Sequence, residues 1–311
     1  MNLQGMRSIS LSTAILAGGL FAFTACKKSG TGASSKAAAS AISHLPKDST
    51  MVFGISGVRG LKAKMLQPVL EKAKKDMPPE LAEVKEKCGI DMLDGGIKSA
   101  TVAMKDPNDQ KSVFAAISTS FNKEDMASCM TKMGGKVEEQ GKLIAYTTKD
   151  GDKTTAFWAE DNMMIVNPSG NATEADFAPV FAGGLDKNAE LSKLMGDTKT
   201  GSVLWFAGVL PAEASGQMPG AERMRLSIDG DAEVDIDGAV IFADEAKATE
   251  AKGQIDQQMG MASMVLGEAS KKIKIGQSST AVTITATFNE ADVEQITKSI
   301  QNAMKMMGGG M

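Results

Sequence analysis

The chain has 311 residues, of which 42% are apolar and 23% are charged. This length suits one large domain or two modest ones, and the composition excludes global disorder. Its 38 acidic residues outnumber its 34 basic residues, which argues against nucleic acid as a partner, because phosphates attract clustered lysine and arginine. The single histidine, His44, excludes a histidine-rich zinc site and argues against histidine-based acid–base catalysis.

The first 26 residues carry the most informative pattern. One basic side chain, Arg7, precedes an uncharged run from Ile9 to Ala25, which is shorter than the roughly 20 residues of a transmembrane helix. The run ends in Phe23-Thr24-Ala25-Cys26, followed by two lysines. These residues resemble a bacterial lipoprotein signal peptide, whose lipobox has an aliphatic residue and two small residues before a cysteine. Phe23 stands where that family usually has leucine.

The resemblance implies that residues 1–25 are removed and that Cys26 becomes the mature N-terminus. Cys26 would carry a diacylglycerol and a further acyl chain such as palmitate. Several acyl chains anchor a protein stably, whereas one chain binds a bilayer only marginally. The alternatives are an ordinary cleaved signal peptide and an uncleaved helix. An ordinary cut after Ala25 would put the bulky Phe23 where a small residue is wanted.

The same resemblance implies residence in the cell envelope of a Gram-negative bacterium. In this family, aspartate directly after the lipid-bearing cysteine is the signal that retains a protein in the inner membrane. Here that position is Lys27. We therefore expect a lipid-anchored protein of the outer membrane that faces the periplasm.

Residues 26–44 are predicted to be the lipidated cysteine and a flexible tether. The segment Lys27–His44 consists mainly of serine, glycine, alanine and lysine and offers almost nothing to bury. As a random coil it would span about 25 Å. We expect His44 to be solvated and to have no role.

The first predicted α+β unit covers residues 45–190. Its elements follow from alternating apolar residues, from apolar residues spaced four apart, and from caps and turns. The predicted helices lie along Leu61–Met77, after Pro79, after the cap Asn122 and near Thr173. The predicted strands are Met51–Ile55, Ile97–Met104, Ser112–Thr119, Leu143–Thr148, Thr154–Ala159 and Met163–Val166.

The second predicted unit covers residues 197–307 and repeats much of this order. Its clearest echo is Asn289-Glu290-Ala291-Asp292-Val293, which follows a strand as Thr173-Glu174-Ala175-Asp176-Phe177 does. We infer an internal duplication; the alternative is that helix caps look alike everywhere. The predicted fold is α+β, with two related units of antiparallel sheet and helices packed on one face. The predicted elements are strands Ser202–Phe206, Glu233–Ala243, Ile273–Ser278 and Ala281–Phe288, and a helix within Glu245–Met261.

Cys88 and Cys129 are the two thiols that remain once Cys26 is acylated. The lipoprotein resemblance places them outside the cytosol, where disulfides persist. Each lies on the apolar face of a predicted helix, and both faces should point at the same core. The sequence therefore predicts a disulfide between them. The alternative is two buried free thiols that pack as small hydrophobic side chains.

Three short motifs match, in order, those of the penicillin-binding and β-lactamase family. They are Ser120-Phe121-Asn122-Lys123, Ser169-Gly170-Asn171 and Lys199-Thr200-Gly201. In that family the first serine is the acylated nucleophile and the lysine beside it takes its proton. Each motif fixes only two or three residues, and one helix and a β-meander fill an interval where that family has a large helical region. The sequence favours Asn122 as a helix cap and predicts no catalytic residue.

Methionines and an acidic row raise two metal hypotheses. The 22 methionines include Met126, Met130 and Met133 beside Cys129, and soft sulfur ligands select Cu(I); methionine also fills irregular cores. If an alternating acidic row lay in one strand, its carboxylates would project from one face, and calcium binds such clusters of oxygen atoms. The row lacks the glycine and the final glutamate of an EF-hand loop. We predict no metal site and no cofactor. The acidic row is Asp229, Asp231, Glu233, Asp235 and Asp237.

The sequence favours a non-catalytic envelope lipoprotein, a binding or interaction module held at the lipid bilayer through acylated Cys26. Its partner would be a protein, a glycan or a lipid. An apolar-ligand carrier is the second hypothesis, which a large methionine-lined pocket would support; an envelope enzyme is the third. The body is similar only to predicted Gram-negative lipoproteins in which Leu-Pro, here Leu45-Pro46, precedes the first strand, and that similarity implies no activity.

Overall fold

The computed structural model describes residues 31–60, 71, 79–106, 109–210, 218–230, 233–296 and 298–299. The predicted signal peptide, Cys26 and the predicted helix along Leu61–Met77 lie outside the described residues, apart from residue 71. Of the helices described, none is long and apolar enough to cross a membrane.

The described residues form helices and twelve strands, with a further helical segment at 290–296. The helices are α1 (Thr31–His44), α2 (Gly57–Gly60), α3 (Pro79–Cys88), α4 (Lys123–Lys132), α5 (Ala178–Ala182), α6 (Ala189–Gly196) and α7 (Glu245–Leu266). The strands are β1 (Met51–Ser56), β2 (Ile97–Met104), β3 (Val113–Thr119), β4 (Lys136–Gln140), β5 (Leu143–Thr147), β6 (Lys153–Glu160), β7 (Met163–Asn167), β8 (Leu204–Val209), β9 (Ala221–Gly230), β10 (Val234–Phe242), β11 (Lys274–Ser278) and β12 (Ala281–Phe288).

All twelve strands belong to one antiparallel sheet, in the order β11-β12-β10-β9-β8-β1-β2-β3-β7-β6-β5-β4. The predicted α+β class with a large antiparallel sheet is therefore confirmed. The two predicted units are not separate sheets, because β1 and β8, the first strand of each half, pair at the centre. We call β1 to β7 the first half of the sheet and β8 to β12 the second half.

Helices cover both faces of the first half, so the prediction of helices on one face is wrong there. Along each strand, alternate side chains enter two different cores, as the period of two requires. One core includes Val52 and Ile165 with residues of α1, α5 and α6. The other includes Ile117 and Met164 with residues of α4. Nearly continuous apolar strands such as β7, in which all five residues are buried, reflect this double coverage.

In the second half, α7 and the segment at 290–296 pack on one face. Ala248 and Ala251 of α7 contact the core formed by Val240, Phe242 and Val282. Next to it, Phe288 and Ala269 form a smaller core against Val293 and Ile296. The opposite face of β10, β12 and β11 contributes no residue to these two cores.

The predicted flexible tether is wrong for residues 31–44, because these residues form α1. Alanine has the highest helix propensity, and Ala38, Ala41 and Ile42 recur at the spacing of one helix face. All three are buried against the sheet. Small side chains let the helix lie close to β2 and β3, so a segment with little apolar bulk still docks.

A tryptophan lies across the central strand pair. Trp205 of β8 is directly opposite Gly54 of β1 and is 1% exposed. A Cβ atom at Gly54 would overlap the Trp205 indole ring. The missing side chain at Gly54 is therefore what lets the indole pack over the strand that joins the two halves.

The strands β4 and β9 were not predicted. In β9, Arg223, Arg225 and Ser227 alternate with Met224, Leu226 and Ile228, which is a strand pattern that the arginines obscure. The edge strand β4 is almost wholly exposed and polar, so it shows little apolar periodicity. Both owe their structure to pairing with a neighbouring strand.

We expect Gly54→Ala to lower the free energy of unfolding by about 1–3 kcal/mol or more, because the added methyl group overpacks the site beside Trp205. Gly253 is the matched control: it lies inside α7 with nothing within 4 Å of an added Cβ, so Gly253→Ala should stabilise the protein by about 0.5–1 kcal/mol. Urea unfolding of both variants measures the two opposite changes. A Gly54→Ala variant as stable as the natural chain would contradict this packing.

Candidate functional site

A disulfide joins α3 to α4. The sulfur atoms of Cys88 and Cys129 are bonded, with their Cα atoms 5.1 Å apart and a sequence separation of 41. This is the pair that the sequence predicts. In the chain-entropy model, closing a loop of this length stabilises the fold by about 4 kcal/mol. The bridge ties α3, which contributes no residue to the neighbouring core, to a helix that is firmly packed.

The start of α4 is fixed by the predicted cap. The side chain of Asn122 accepts a hydrogen bond from the Asp125 backbone N–H at 2.9 Å, and the Asp125 carboxylate accepts one from the Asn122 N–H at 3.1 Å. This reciprocal capping box satisfies two N–H groups that the first turn leaves unpaired. Asn122 therefore has a structural function at this position.

A cleft of about 670 Å³ lies beside the disulfide. The elements around it are the end of α3, the turn Met92–Gly96, the starts of β2 and α4, and the end of β3. Its charged lining consists of two lysines and three aspartates, which are Lys98, Lys132, Asp91, Asp94 and Asp125. We call it the disulfide cleft.

The three penicillin-binding motifs are not brought together. Ser120 follows the end of β3. Ser169 lies near the start of that strand, because the side chain of Asn167 donates hydrogen bonds to the carbonyl oxygens of Lys111 and Val113 and accepts one from the Ser169 N–H. The seven residues of β3 separate them by about 20 Å. Lys199 lines a cleft on β10 and β12, five strand spacings from β3, or about 24 Å.

The sulfur and acidic groups of the metal hypotheses have other partners. Cys129 is in the disulfide, and Met126 and Met130 are buried in the core beneath α4, while Met304, Met306 and Met307 lie outside the described residues. Within the described part of the chain, no three histidine, cysteine, aspartate or glutamate residues are grouped as metal ligands.

The described aspartates of the acidic row lie on two paired strands and not on one strand, which corrects the prediction; Asp231 lies outside the described residues. Asp229 is next to the last residue of β9, and Asp235 and Asp237 belong to β10, with Asp229 directly opposite Asp235. Asp237 pairs with Arg225 at 2.6 Å. Asp235 accepts a hydrogen bond from Thr287 Oγ1 at 2.7 Å. These contacts make the acids part of a mixed polar surface.

That surface is the open face of the second half, formed by β10, β12 and β11. Asp235, Thr285 and Thr287 are exposed on it. A cleft of about 550 Å³ crosses it, which we call the lysine cleft. The sequence shows the alternation of threonines along β12. It does not show that Lys199, in the loop after α6, lines the same cleft. The lysine cleft is lined by Lys199, Lys271, Lys272, Lys274, Asp235, Asp237, Thr285, Thr287, Ile236 and Ala286.

Neither cleft is lined by methionine. The pocket that would support an apolar-ligand carrier is therefore not among these two. The described methionines of α4 lie in a packed core, which is the ordinary use of methionine.

The predicted idle role of His44 is wrong. His44 Nε2 lies 3.1 Å from Glu160 Oε1, at the end of β6. The same oxygen accepts a hydrogen bond from Ser40 Oγ at 2.5 Å. Both contacts hold the pKa of Glu160 below its ordinary value, and the hydrogen bond from Ser40 has the larger effect. The carboxylate of Glu160 thus fastens the last turns of α1 to the sheet.

Comparison with known proteins gives little. No family model matches the chain, and no curated protein matches it in sequence. A solved structure described as "Structure of crystal form I of TP0453" is similar with a TM-score of 0.48 and 8% sequence identity, over 83% of this chain and 97% of that chain. A likeness at this level carries no argument about function.

Glu160→Gln should destabilise the protein near neutral pH and not in acid. The pKa of Glu160 is lowered in the fold. The ionised carboxylate therefore makes its full contribution to the free energy of unfolding above the ordinary carboxyl pKa of about 4.3, and this contribution is lost as pH falls through the lowered pKa. The side chain is 51% exposed, so the effect should not exceed about 1 kcal/mol.

Thermal unfolding of both proteins at pH 7 and pH 3 measures this difference. The matched control is Glu222→Gln, at an exposed position of β9, which should leave stability unchanged at both pH values. A Glu160→Gln effect that is equal at the two pH values, or larger at pH 3, would refute the role of the carboxylate.

Proposed function

We propose that this protein is a non-catalytic lipoprotein of the bacterial envelope, anchored by acylated Cys26 in the outer membrane and facing the periplasm. The observation that carries the proposal is the uncharged run that ends in Phe23-Thr24-Ala25-Cys26. The structure adds that α1 begins at Thr31, five residues after Cys26. Five extended residues reach about 17 Å, so the anchor would hold the body close to the bilayer.

The second part of the proposal is that the body binds a partner through the open face of the second half. A binding surface needs accessible polar groups on a rigid scaffold. The open face meets this requirement, because β10 and β12 lie in the interior of the twelve-stranded sheet beside the edge strand β11, and the cores behind the face are packed. A protein, a glycan or a lipid is the proposed kind of partner.

We also infer that the two halves arose by duplication. What supports this is the register of the sheet around the opposed pair Phe53 and Phe206. From this pair, directly opposed residues can be followed from strand to strand outward through both halves. Each path crosses five strands, and in each half a helix follows the third strand in sequence. The hairpin β4–β5 is an addition in the first half. The two paths are Phe53, Val102, Ala115, Val166 and Ala156, and Phe206, Leu226, Gly238, Ile284 and Ile275.

The caps that echo in sequence also match in their bonds. Thr173 and Asp176 exchange hydrogen bonds between side chain and backbone N–H in both directions. Asn289 and Asp292 do the same at 2.8 and 3.0 Å. Similar caps at equivalent points of two matching paths favour a common origin over chance resemblance of caps.

Mass spectrometry of the mature protein tests the anchor. We expect residues 1–25 to be absent and Cys26 to carry acyl mass, because the lipobox directs both steps. Cys26→Ser should leave unprocessed precursor. The control is Cys88→Ser with Cys129→Ser, which removes the other two cysteines and should leave the acyl mass in place. A Cys26→Ser protein that is trimmed at the same site and released in soluble form would overturn the proposal.

A further inference from the structure

The lysine cleft has a charge opposite to that of the whole chain. Four lysines and two aspartates line it, a formal excess of two positive charges, whereas the chain has a formal net charge of −4. The disulfide cleft is of similar size but is lined by two lysines and three aspartates. Positive charge is therefore concentrated in one of the two clefts.

Ion pairs within the protein neutralise only part of this charge. Lys271 pairs with Glu268 at 2.7 Å, and Lys272 pairs with Asp292. Among the described residues, Lys199 and Lys274 have no acidic partner within ion-pair distance. One follows α6 and the other begins β11, so the fold brings two cations from distant parts of the chain to one cleft. Two lysines without an ion-pair partner, held in one cleft, favour an anionic ligand.

The floor of the cleft supplies hydroxyl groups. Thr285 and Thr287 project from β12, and both are exposed. Of the two acids, Asp237 is neutralised by Arg225. Asp235 accepts a hydrogen bond from the Thr287 hydroxyl group and keeps a second oxygen that can accept a hydrogen bond from a ligand hydroxyl group.

We propose that the lysine cleft binds a phosphate group, with Lys199 and Lys274 as its charge partners and Thr285 as a hydroxyl donor. A phosphomonoester carries a charge of about −1.5 to −2 at pH 7 and presents three acceptor oxygens. With these ion pairs counted, Lys199 and Lys274 against Asp235 leave one net positive charge in the cleft. The three acceptor oxygens of a phosphate group match the two lysines and the Thr285 hydroxyl group in number, whereas a carboxylate has two oxygens. The proposal deepens the binding function proposed above and rests on it for the choice of face. The phosphate belongs either to a small soluble molecule or to a lipid headgroup.

Calorimetric titration of the full chain with inorganic phosphate is the direct test. We expect saturable binding that weakens as ionic strength rises. The double variant Lys199→Gln with Lys274→Gln should bind about tenfold more weakly or not at all, since each lysine gives a charge-assisted contact. The matched control is Lys98→Gln with Lys132→Gln, which removes the two lysines of the disulfide cleft and should bind phosphate as the natural chain does.

Vesicle flotation of the chain from Lys27 onward, which lacks both the apolar signal segment and the acylated cysteine, distinguishes the two sources of phosphate. Flotation with phosphatidic acid but not with phosphatidylcholine, reversed by inorganic phosphate, identifies a lipid headgroup. Phosphate binding without flotation identifies a soluble ligand. No saturable binding, or an equal loss in both double variants, would overturn the proposal. The titration does not depend on acylation, so failure of the anchor and failure of this site give different results.

Discussion

The pairing of β1 with β8 is the contact on which the rest of the structure depends. It makes one sheet out of two halves, and the indole ring of Trp205 packs over it because Gly54 has no side chain. Without this pair, the first half would expose β1 and the second half would expose β8 as unpaired edges. The buried Trp205 also contacts the core that α1, α5 and α6 close, so the seam between the halves is at the same time part of the largest core.

The helices are distributed unequally over this sheet, and that inequality leaves one face of the outer strands β10, β12 and β11 uncovered by the helices described. The first half is enclosed on both faces, and α1 completes the enclosure just after the proposed anchor. The second half is enclosed on one face by α7, and on its other face the outer strands β10, β12 and β11 present the polar lysine cleft. The half nearest the proposed anchor in sequence is thus the closed one, and the half farther along the chain presents the lysine cleft.

Local signals in the sequence predict local structure well. The β12 bounds, the cap at Asn122 and the disulfide between Cys88 and Cys129 follow from alternation, from capping chemistry and from the apolar faces of two helices. The docking of α1 could not be predicted, because alanines such as Ala41 bury little surface. They stabilise the docked helix only when it lies close to the sheet, and that sheet is formed by strands later in the chain. The lysine cleft could not be predicted either, since Lys199 lies in the loop before β8 and is brought towards β10 by the pairing of β8 with β9 and of β9 with β10.

Native-state hydrogen exchange of the backbone amides in β1 and β8 tests the single sheet most directly. If the central pair holds the halves together, the hydrogen-bonded amides of both strands exchange only by global unfolding and give the same, highest free energy of opening. Amides of the outer strands β4 and β11 should exchange faster, because edge strands open locally. The account would be contradicted if β8 and the second half exchanged at a lower free energy than β1 and the first half, since the two halves would then unfold independently.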